Sequence, residues 1–343
     1  MFVKEVKIFF EELFTLCFGC DIIKSSKFER AFILQYVFPN YYKKFKCINK
    51  KCRHNCCIGW EIDIDDDTLR LYDSATGEMG RRFKENISRD GVPHFILSDG
   101  ERCPFLNCEN LCDIILASGE DSLCTICREH PRFHNSLPGR IESGLGLSCE
   151  EAARIIIGQS EPALLEISGE AECDDEIIAL RDKVILLLQN RDIPISARIS
   201  SVLDTMNASL PYKSVQEWIK IFLSLENLDV KWKELLELLQ SEYRNVNFPA
   251  FNSHMASRES EYEQFTVYII YRYFANSFDI SESRTVALFT ALCYRLIYAL
   301  GALIFSKTGK FDFEDQVELV RLFSAEIEYS TDNVEVLFGL LSK

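Results

Sequence analysis

Residues 47–57 read Cys-Ile-Asn-Lys-Lys-Cys-Arg-His-Asn-Cys-Cys, so four cysteines fall within one short segment of the chain. A second cysteine-rich segment, residues 103–127, holds five more, and Cys149 follows it. Ten of the 14 cysteines in this 343-residue protein therefore lie between positions 47 and 149. Such an uneven distribution indicates either a disulfide framework or thiolate ligands for a metal.

Metal ligation is the better explanation of these cysteines. Disulfide frameworks belong to small proteins of oxidising compartments, and this chain is neither small nor opened by a typical secretion signal, since Glu11 and Glu12 interrupt its first apolar run. Soft thiolates are the usual ligands of zinc and of iron–sulfur clusters. We therefore expect a cytoplasmic protein with a cysteine-ligated metal centre, either a 4Fe-4S cluster or, alternatively, zinc.

The spacing of the cysteines gives seven candidate ligands. They are Cys52, Cys56, Cys57, Cys103, Cys112, Cys124 and Cys127. The Cys124-x2-Cys127 pair can place two sulfurs on one metal, because a short turn brings both side chains to the same side. Adjacent cysteines such as Cys56 and Cys57 usually point in different directions, so both ligate only on an irregular turn or to separate iron atoms.

Other donors are weaker candidates. Cys108 lies in a turn-forming sequence where a polar residue would serve equally well. His54 and His130 are close enough to cysteines to replace one of them as zinc ligands. The cysteines outside the dense region are expected to be small buried hydrophobic residues. These are Cys17, Cys20, Cys173 and Cys293.

Composition and patterning divide the chain into three parts. Residues 1–35 are predicted to form a helical extension, 36–157 a cysteine-cluster metal-binding region, and 158–343 a helical C-terminal region. Alternating apolar and acidic residues at 60–65 predict a half-buried strand, and 95–97 a shorter one.

Apolar residues three and four apart predict helices over 215–225, 230–239, 265–274 and 317–323. Asp279 and Asp312 are expected to cap two further helix starts. The fold class is therefore mainly α, with a small irregular α+β cysteine-rich metal-binding region. No Gly-x-Gly-x-x-Gly follows a predicted strand, so there is no Rossmann signature.

Charge and hydropathy restrict the partners. A formal charge of −15 repels a phosphate backbone, and we expect no nucleic-acid partner. The most apolar stretch, 286–305, carries Arg295 and several small or polar residues. We interpret it as a buried helix and expect no membrane association.

Several of these segments also resemble a known family, the bacterial flagellin lysine-N-methylases. The similarity includes 40–47, Cys56-Cys57-x-Gly59-Trp60, Cys103-Pro-Phe-Leu106 with Leu111-Cys112, and Leu123-Cys124-x2-Cys127-x3-Pro131-Arg132. It continues through Glu142 and 147–153, and a C-terminal segment, 327–333, is similar as well, with tyrosine at position 329 where the family has histidine. The smaller zinc- or iron-chelating cysteine-cluster family shares the central part of the pattern.

The resemblance implies methyl transfer from S-adenosyl-L-methionine to surface lysines of flagellin or a similar protein. On this basis, Trp60 is a candidate to pack on the sulfonium, Arg132 to hold the donor's carboxylate, and Glu142 or Glu328 to bind an amine or a ribose hydroxyl. Arg132 suits equally an ion pair that tethers its loop. The catalytic residue is not identified, and the tyrosines of the C-terminal helices are expected to fill the core.

A second interpretation needs no enzyme. More than four clustered cysteines leave room for a labile thiol, so the chain is alternatively a non-catalytic iron–sulfur or zinc-binding module, or a redox sensor.

Overall fold

The computed structural model describes residues 34–169, 175–211 and 214–343. The predicted N-terminal helix, Cys17, Cys20 and Cys173 lie outside these residues. All other candidate site residues lie within them.

A four-stranded sheet, which the sequence did not predict, lies beside the helices. Within the described residues the strands are β1 (Gln35–Pro39), β2 (Ile87–Ser88), β3 (His94–Phe95), β4 (Arg132–Leu137), β5 (Arg140–Leu145) and β6 (Leu165–Ser168). The order in the larger sheet is β4-β5-β1-β6, with β1 parallel to β5 and antiparallel to β6. Strands β2 and β3 form a separate antiparallel pair. Gly139, at φ 71°, turns β4 back into β5, as expected of glycine in a tight turn.

Helices make up most of the described chain. The N-terminal ones are α1 (Asp66–Ser74), α2 (Gly77–Asn86), α3 (Asp113–Ser118), α4 (Thr125–Glu129), α5 (Glu150–Ile157), α6 (Glu176–Leu188) and α7 (Ile195–Thr205). The C-terminal ones are α8 (Val215–Ser224), α9 (Val230–Glu242), α10 (Phe248–Met255), α11 (Glu259–Tyr273), α12 (Ile280–Thr308), α13 (Phe313–Phe323) and α14 (Thr331–Leu341). A π-helical turn, Ser324–Glu328, joins α13 to α14. The prediction of a mainly α protein is confirmed.

Local sequence chemistry explains where the C-terminal helices begin. Asp279 accepts a hydrogen bond from the backbone N–H of Glu282 at the start of α12, and Asp312 caps α13 in the same way. These side chains satisfy N–H groups that have no partner within the helix. Both predicted caps are confirmed, and so are the four predicted helices, which form parts of α8, α9, α11 and α13.

Residues 60–65 do not form the predicted strand, although the prediction of which side chains are buried is correct. Ile62 and Ile64 are buried and Glu61 is exposed, as alternation requires. The segment nevertheless pairs with its neighbour only through an isolated bridge from Asp63 to His94. The neighbouring strand β3 is two residues long, too short to build a ladder.

The described residues contain two hydrophobic cores. The smaller core lies entirely within residues 57–127, at the cysteine-rich segments. The larger core joins Tyr41, Phe45 and residues 145–157 to the C-terminal helices. Strand β6, at 165–168, also completes the sheet that β1 begins.

Helix α12 is long and apolar enough to cross a bilayer by length and composition alone. Its most apolar window is nevertheless 78% buried inside the protein. The helix is therefore the centre of the larger core, as the sequence predicted.

Candidate functional site

Five cysteines pack together in the smaller core and are called the five-cysteine cluster below. They are Cys57, Cys103, Cys112, Cys124 and Cys127. Cys103 and Cys124 are buried, and the other three are half-buried. All the cysteines of the described residues are free thiols. The cluster thus presents only sulfur donors in a largely apolar setting.

Backbone contacts bring these cysteines together from distant positions. The N–H of Cys103 donates to the carbonyl of Cys57 at 2.8 Å. Cys112 is the N-cap residue of α3, and Cys124 is the N-cap residue of α4, on which Cys127 lies one turn later. The Cys-x2-Cys pair therefore points its two sulfurs to one side, as its spacing predicted.

Proton affinities differ within the cluster. The hydrogen bond from Cys127 lowers the pKa of Cys124, and the same contact raises the pKa of Cys127, which must keep its proton to donate. Burial raises the pKa of Cys103 to about 11. Any metal bound here would have to displace protons, as is usual for thiolate sites.

Four further cysteines form a more exposed group, called the outer cysteines. They are Cys47, Cys52, Cys56 and Cys149, which interact electrostatically with one another. The sulfur of Cys52 lies 3.7 Å from a carboxylate oxygen of Glu150. The two groups meet where the sulfur of Cys57 hydrogen-bonds that of Cys56 and lowers the pKa of Cys56.

The structure therefore gathers five of the seven predicted ligands and places Cys52 and Cys56 among the outer cysteines. Cys108 is exposed. Among the described residues, no three His, Cys, Asp or Glu side chains converge on a point that would hold a single metal ion. The donor set of the five-cysteine cluster fits a thiolate-bound group in kind, because both zinc and iron–sulfur clusters take four cysteine sulfurs. The identity of the metal and its four ligands stay predictions.

A second polar centre lies in the larger core around Glu328, the last residue of the π-helical turn. Its carboxylate accepts hydrogen bonds from Tyr268 at 3.0 and 3.1 Å and from Tyr273 at 3.1 Å. Arg272 forms an ion pair with it at 3.3 Å. The Glu328 side chain is only 1% exposed. Because π-helical turns occur frequently at functional sites, this Glu328 network is a candidate site.

Three aromatic side chains, called the aromatic rim below, meet where Tyr329 follows Glu328. The ring of Tyr329 stands 6.5 Å from Trp60 and 6.3 Å from His130, centroid to centroid. Trp60 and His130 lie 6.1 Å apart. Tyr329 is 43% exposed, so a ligand has access to the rim from solvent.

The segment 146–148 joins the aromatic rim to the Glu328 network. A Cβ atom on Gly146 would lie 3.4 Å from a guanidinium nitrogen of Arg272 and 3.9 Å from the hydroxyl of Tyr329. The backbone N–H of Leu147 donates to the hydroxyl of Tyr268 at 3.4 Å. The tightest contact of that Cβ atom would be with the carbonyl of Pro131 at 3.2 Å, so a side chain at position 146 would press on that backbone.

Burial lowers the pKa of His130 to about 4. Its imidazole is therefore neutral at pH 7, with one ring nitrogen free to accept a hydrogen bond. Burial also raises the pKa of Tyr329, whose hydroxyl stays protonated. The rim accordingly carries no charge at neutral pH and suits an apolar or cationic ligand.

The three predicted donor-binding residues are not together. Trp60 belongs to the aromatic rim. Arg132 instead stacks on Tyr42 and Phe45, with its guanidinium carbon 5.9 and 5.4 Å from their ring centroids. Glu142 lies on β5.

The carboxylate of Glu142 is engaged on both oxygens. Arg140 donates to one oxygen at 2.6 Å, and Arg181 pairs with the other. The side chains of Glu142 and Arg181 are both fully buried. A carboxylate held this way has little capacity left for a ligand.

The sequence interpretation did not single out Arg272, and it treated His130 only as a substitute zinc ligand. The expectation that Tyr268 and Tyr271 fill the core is confirmed, since both are buried. The hydroxyl of Tyr268 nevertheless serves the Glu328 network. One signal was available, because Tyr268 and Arg272 are four residues apart and so share a helix face.

Comparisons with known proteins find one family model and several relatives that match this chain. The family described as FliB lysine N-methylase C-terminal domain matches residues 203–343. A protein named Lysine-N-methylase from Salmonella typhimurium is 27% identical over 135 residues, 37% of this chain and 33% of its own length. A protein named Flagellar biosynthetic protein FliU from Salmonella muenchen is 26% identical over 135 residues, 37% of this chain and 79% of its own length. No solved structure matches.

The matched stretch spans about a third of the length of the first of these relatives. The family match covers the Glu328 network and Tyr329, which lie within residues 203–343. These matches make residues 203–343 similar to the C-terminal domain of the lysine N-methylases, the family that the sequence resembles.

Proposed function

We propose that this protein is an S-adenosylmethionine-dependent protein lysine N-methyltransferase, built around a cysteine-ligated metal centre, with its reaction site at the aromatic rim. One observation carries the assignment. Trp60, His130 and Ser148 lie in or beside three N-terminal segments of the family resemblance, and all three contact Tyr329 of the C-terminal segment. Segments far apart in sequence that share one contact point indicate a common site.

The aromatic rim meets the main requirement of lysine methylation. A lysine amine must lose its proton before it can attack, although its reference pKa is about 10.4. Contact with the uncharged rings of Trp60 and Tyr329 disfavours the ammonium form by desolvation. The same rings pack on the aliphatic stem of the lysine and attract a sulfonium by cation–π interaction.

The Glu328 network keeps the rim in place. Glu328 fixes Arg272 and Tyr268, and these contact the segment 146–148 that runs under Tyr329. Reaction geometry is sensitive to displacements of about 1 Å, so such buried support matters for rate.

S-adenosylmethionine, when bound, supplies an electrophilic methyl group on a positively charged sulfur. The neutral lysine nitrogen attacks the methyl carbon, the new N–C bond forms as the C–S bond breaks, and the sulfur becomes a neutral thioether. The methylated ammonium then releases its extra proton to solvent. In the proposed site Trp60 and Tyr329 bind and orient the reactants, and no described side chain is needed as a covalent nucleophile.

The five-cysteine cluster positions two members of the rim. Trp60 is three residues beyond Cys57, and His130 is three residues beyond Cys127. A metal held by these cysteines would fix both segments against the C-terminal helices, because a closed thiolate site contributes folding energy. We leave Glu142 and Arg132 out of the proposed reaction site, since their side chains are engaged elsewhere.

The acceptor is proposed to be flagellin or a similar surface protein, as the names of the relatives suggest. A cytoplasmic location, where thiols stay reduced, is part of the proposal. The alternative function is a non-catalytic metal-binding or redox-sensing module. The observation that favours it is the presence of nine thiols in two contiguous groups, more than one four-ligand site requires.

Isothermal titration of anaerobically purified, metal-loaded protein with S-adenosylmethionine separates the two functions. A methyltransferase binds the donor and transfers a labelled methyl group to a lysine-containing acceptor, and Trp60→Ala weakens donor binding. Tyr36→Phe, a change at an exposed tyrosine on β1, serves as the control. Absence of donor binding to the loaded protein would favour the metal-binding module.

A further inference from the structure

A cleft of about 570 Å³ lies where residues 44–51 face Leu111 and Glu151. Its lining includes four lysines, together with Leu111 and Glu151. The lysines are Lys44, Lys46, Lys50 and Lys51. We call this feature the lysine cleft, and it holds a local excess of positive charge on a protein whose formal charge is −15.

The lysines are displayed by two short turns rather than by a regular helix. The 3-10 turns Tyr42–Lys44 and Asn49–Lys51 each end with basic residues. Phe45 between them is buried in the larger core and anchors the segment. The side chains of Lys46, Lys50 and Lys51 are exposed, and no ion pair neutralises them among the described residues.

A further cation packs on the segment that carries these lysines, outside the lining of the cleft. The guanidinium of Arg132 stacks on Tyr42 and Phe45, within the same segment. Lys44 donates to the side chain of Gln159 at 3.0 Å rather than to a carboxylate. The single carboxylate of the lining, Glu151, pairs with Arg154 at 3.0 Å. The cleft therefore keeps most of its positive charge.

The lysine cleft also lies beside the proposed reaction site. Glu151 in its lining is three residues from Ser148, which lies beside Tyr329 of the aromatic rim. A chain lying in the cleft would thus continue toward the rim along the segment 148–151.

We infer that the lysine cleft binds a carboxylate-rich segment of the acceptor protein and so presents a neighbouring lysine to the aromatic rim. The inference rests on the proposed function in taking the acceptor as the owner of that segment. An acidic protein segment fits better than nucleic acid, because the net negative charge of the chain repels a long phosphate backbone beyond the cleft. Charge complementarity of this kind steers partners and sets register.

Fluorescence anisotropy with a short labelled peptide of alternating glutamate and serine tests the inference without any methyl donor. The test variant is Lys46→Glu/Lys50→Glu/Lys51→Glu. The control variant, Lys220→Glu/Lys231→Glu/Lys233→Glu, makes the same change in net charge at exposed lysines of α8 and α9. A peptide of alternating glutamine and serine controls for uncharged binding.

We expect wild-type protein and the control variant to bind the acidic peptide alike, and the test variant to bind it at least about tenfold more weakly, with all binding weakened by salt. Equal binding by the test and control variants would overturn the inference. So would tighter binding of a single-stranded oligonucleotide than of the acidic peptide. If circular dichroism shows the test variant unfolded, the corresponding triple change to glutamine is measured against the same expectation.

The outcome is separable from that of the proposed function. If the peptide binds through the cleft but the metal-loaded protein transfers no methyl group, the cleft is confirmed as a binding site and the enzyme assignment is wrong. If the protein methylates a lysine acceptor and the test variant binds that acceptor as tightly as wild type, the enzyme assignment is supported and the role of the cleft is wrong.

Discussion

The hydroxyl of Tyr329 lies 3.3 Å from Nδ1 of His130, although 199 positions separate the two residues in the chain. The contact joins the loop after the five-cysteine cluster to the residue that follows the π-helical turn. It brings the cysteine-rich region and the family-matched C-terminal region to a single point.

Removing this hydroxyl tests the aromatic rim. We expect Tyr329→Phe to lower the rate of methyl transfer about tenfold, the amount that one hydrogen bond accounts for, while the fold is kept. The measurement is the initial rate with labelled donor, beside a thermal unfolding curve. Tyr36→Phe should leave the rate unchanged, and an equal loss in both variants would contradict the assignment.

Adding a methyl group beneath the rim tests the support of the site. In Gly146→Ala the new Cβ would meet the carbonyl of Pro131 at 3.2 Å and Arg272 at 3.4 Å. The contact with Pro131 is tighter than ordinary, so we expect the segment 146–148 to shift by a few tenths of an ångström and methyl transfer to slow, with little loss of stability. Gly339→Ala on α14, where a Cβ meets nothing within 4 Å, should stabilise the protein by about 0.5–1 kcal/mol and keep full activity. A fully active Gly146→Ala variant would show that the segment need not approach Arg272 so closely.

The buried carboxylate on β5 is expected to matter for stability rather than for donor binding. Glu142→Gln removes the fully buried carboxylate that pairs with Arg181 and leaves that guanidinium only its pair with Asp182, and breaking a buried ion pair typically costs about 3 kcal/mol or more. Urea denaturation measures the loss. Glu166→Gln, at the exposed partner of Lys43, should change stability by no more than about 1 kcal/mol. Loss of donor affinity in folded Glu142→Gln would restore the original assignment of Glu142 to the donor site.

The cysteine assignment can be tested at matched positions. We expect Cys124→Ser to lower the metal content of anaerobically purified protein and to lower its thermal unfolding midpoint, since a ligand of the five-cysteine cluster is lost. Cys108→Ser, at an exposed cysteine outside both groups, should keep the wild-type metal content and midpoint. Metal analysis and an absorption spectrum also distinguish iron–sulfur from zinc. Unchanged metal content in Cys124→Ser would show that Cys124 is not a metal ligand.

Acid should weaken the contact between the cysteine-rich region and α13. Although burial alone would raise the pKa of Glu318, hydrogen bonds from His54 and Arg321 bring it down to about 2. Because this folded-state pKa is below the ordinary value of 4.5, the carboxylate contributes stability that is complete above about pH 5 and is lost as the pH falls toward 2. Urea midpoints between those limits should fall less steeply for Glu318→Gln than for wild type. If the urea midpoints of Glu318→Gln and wild type fall equally steeply with pH, Glu318 is not stabilised as an anion in the folded protein.

Features that depend on near neighbours were predictable from the sequence, and features that depend on remote partners were not. Asp279 and Asp312 identify helix starts because a cap needs only the next three residues. The alternation at 60–65 gave the buried face correctly, but a strand also needs a partner of matching length, and β3 is too short. Glu142 looked available for a ligand until the fold placed Arg181, 39 positions away, against it.

The candidate site shows the same division. The five cysteines were identified from spacing, since cysteine density is itself unusual, but their separation from the outer cysteines required the fold. The total charge did not predict the lysine cleft. The chain as a whole has an excess of acidic residues, but residues 41–51 hold five lysines.

The shared core has a consequence for how the chain can be divided. The family match begins at residue 203, yet Tyr271 in that region donates its hydroxyl to the carbonyls of Val37 and Ser143 at 3.1 Å, and Tyr41 and Leu145 pack into the same core. A fragment cut at the family boundary would expose these surfaces to water. The family match and the hydrophobic core therefore have different boundaries in this protein, and residues 203–343 contain one part of an interior that the rest of the chain completes.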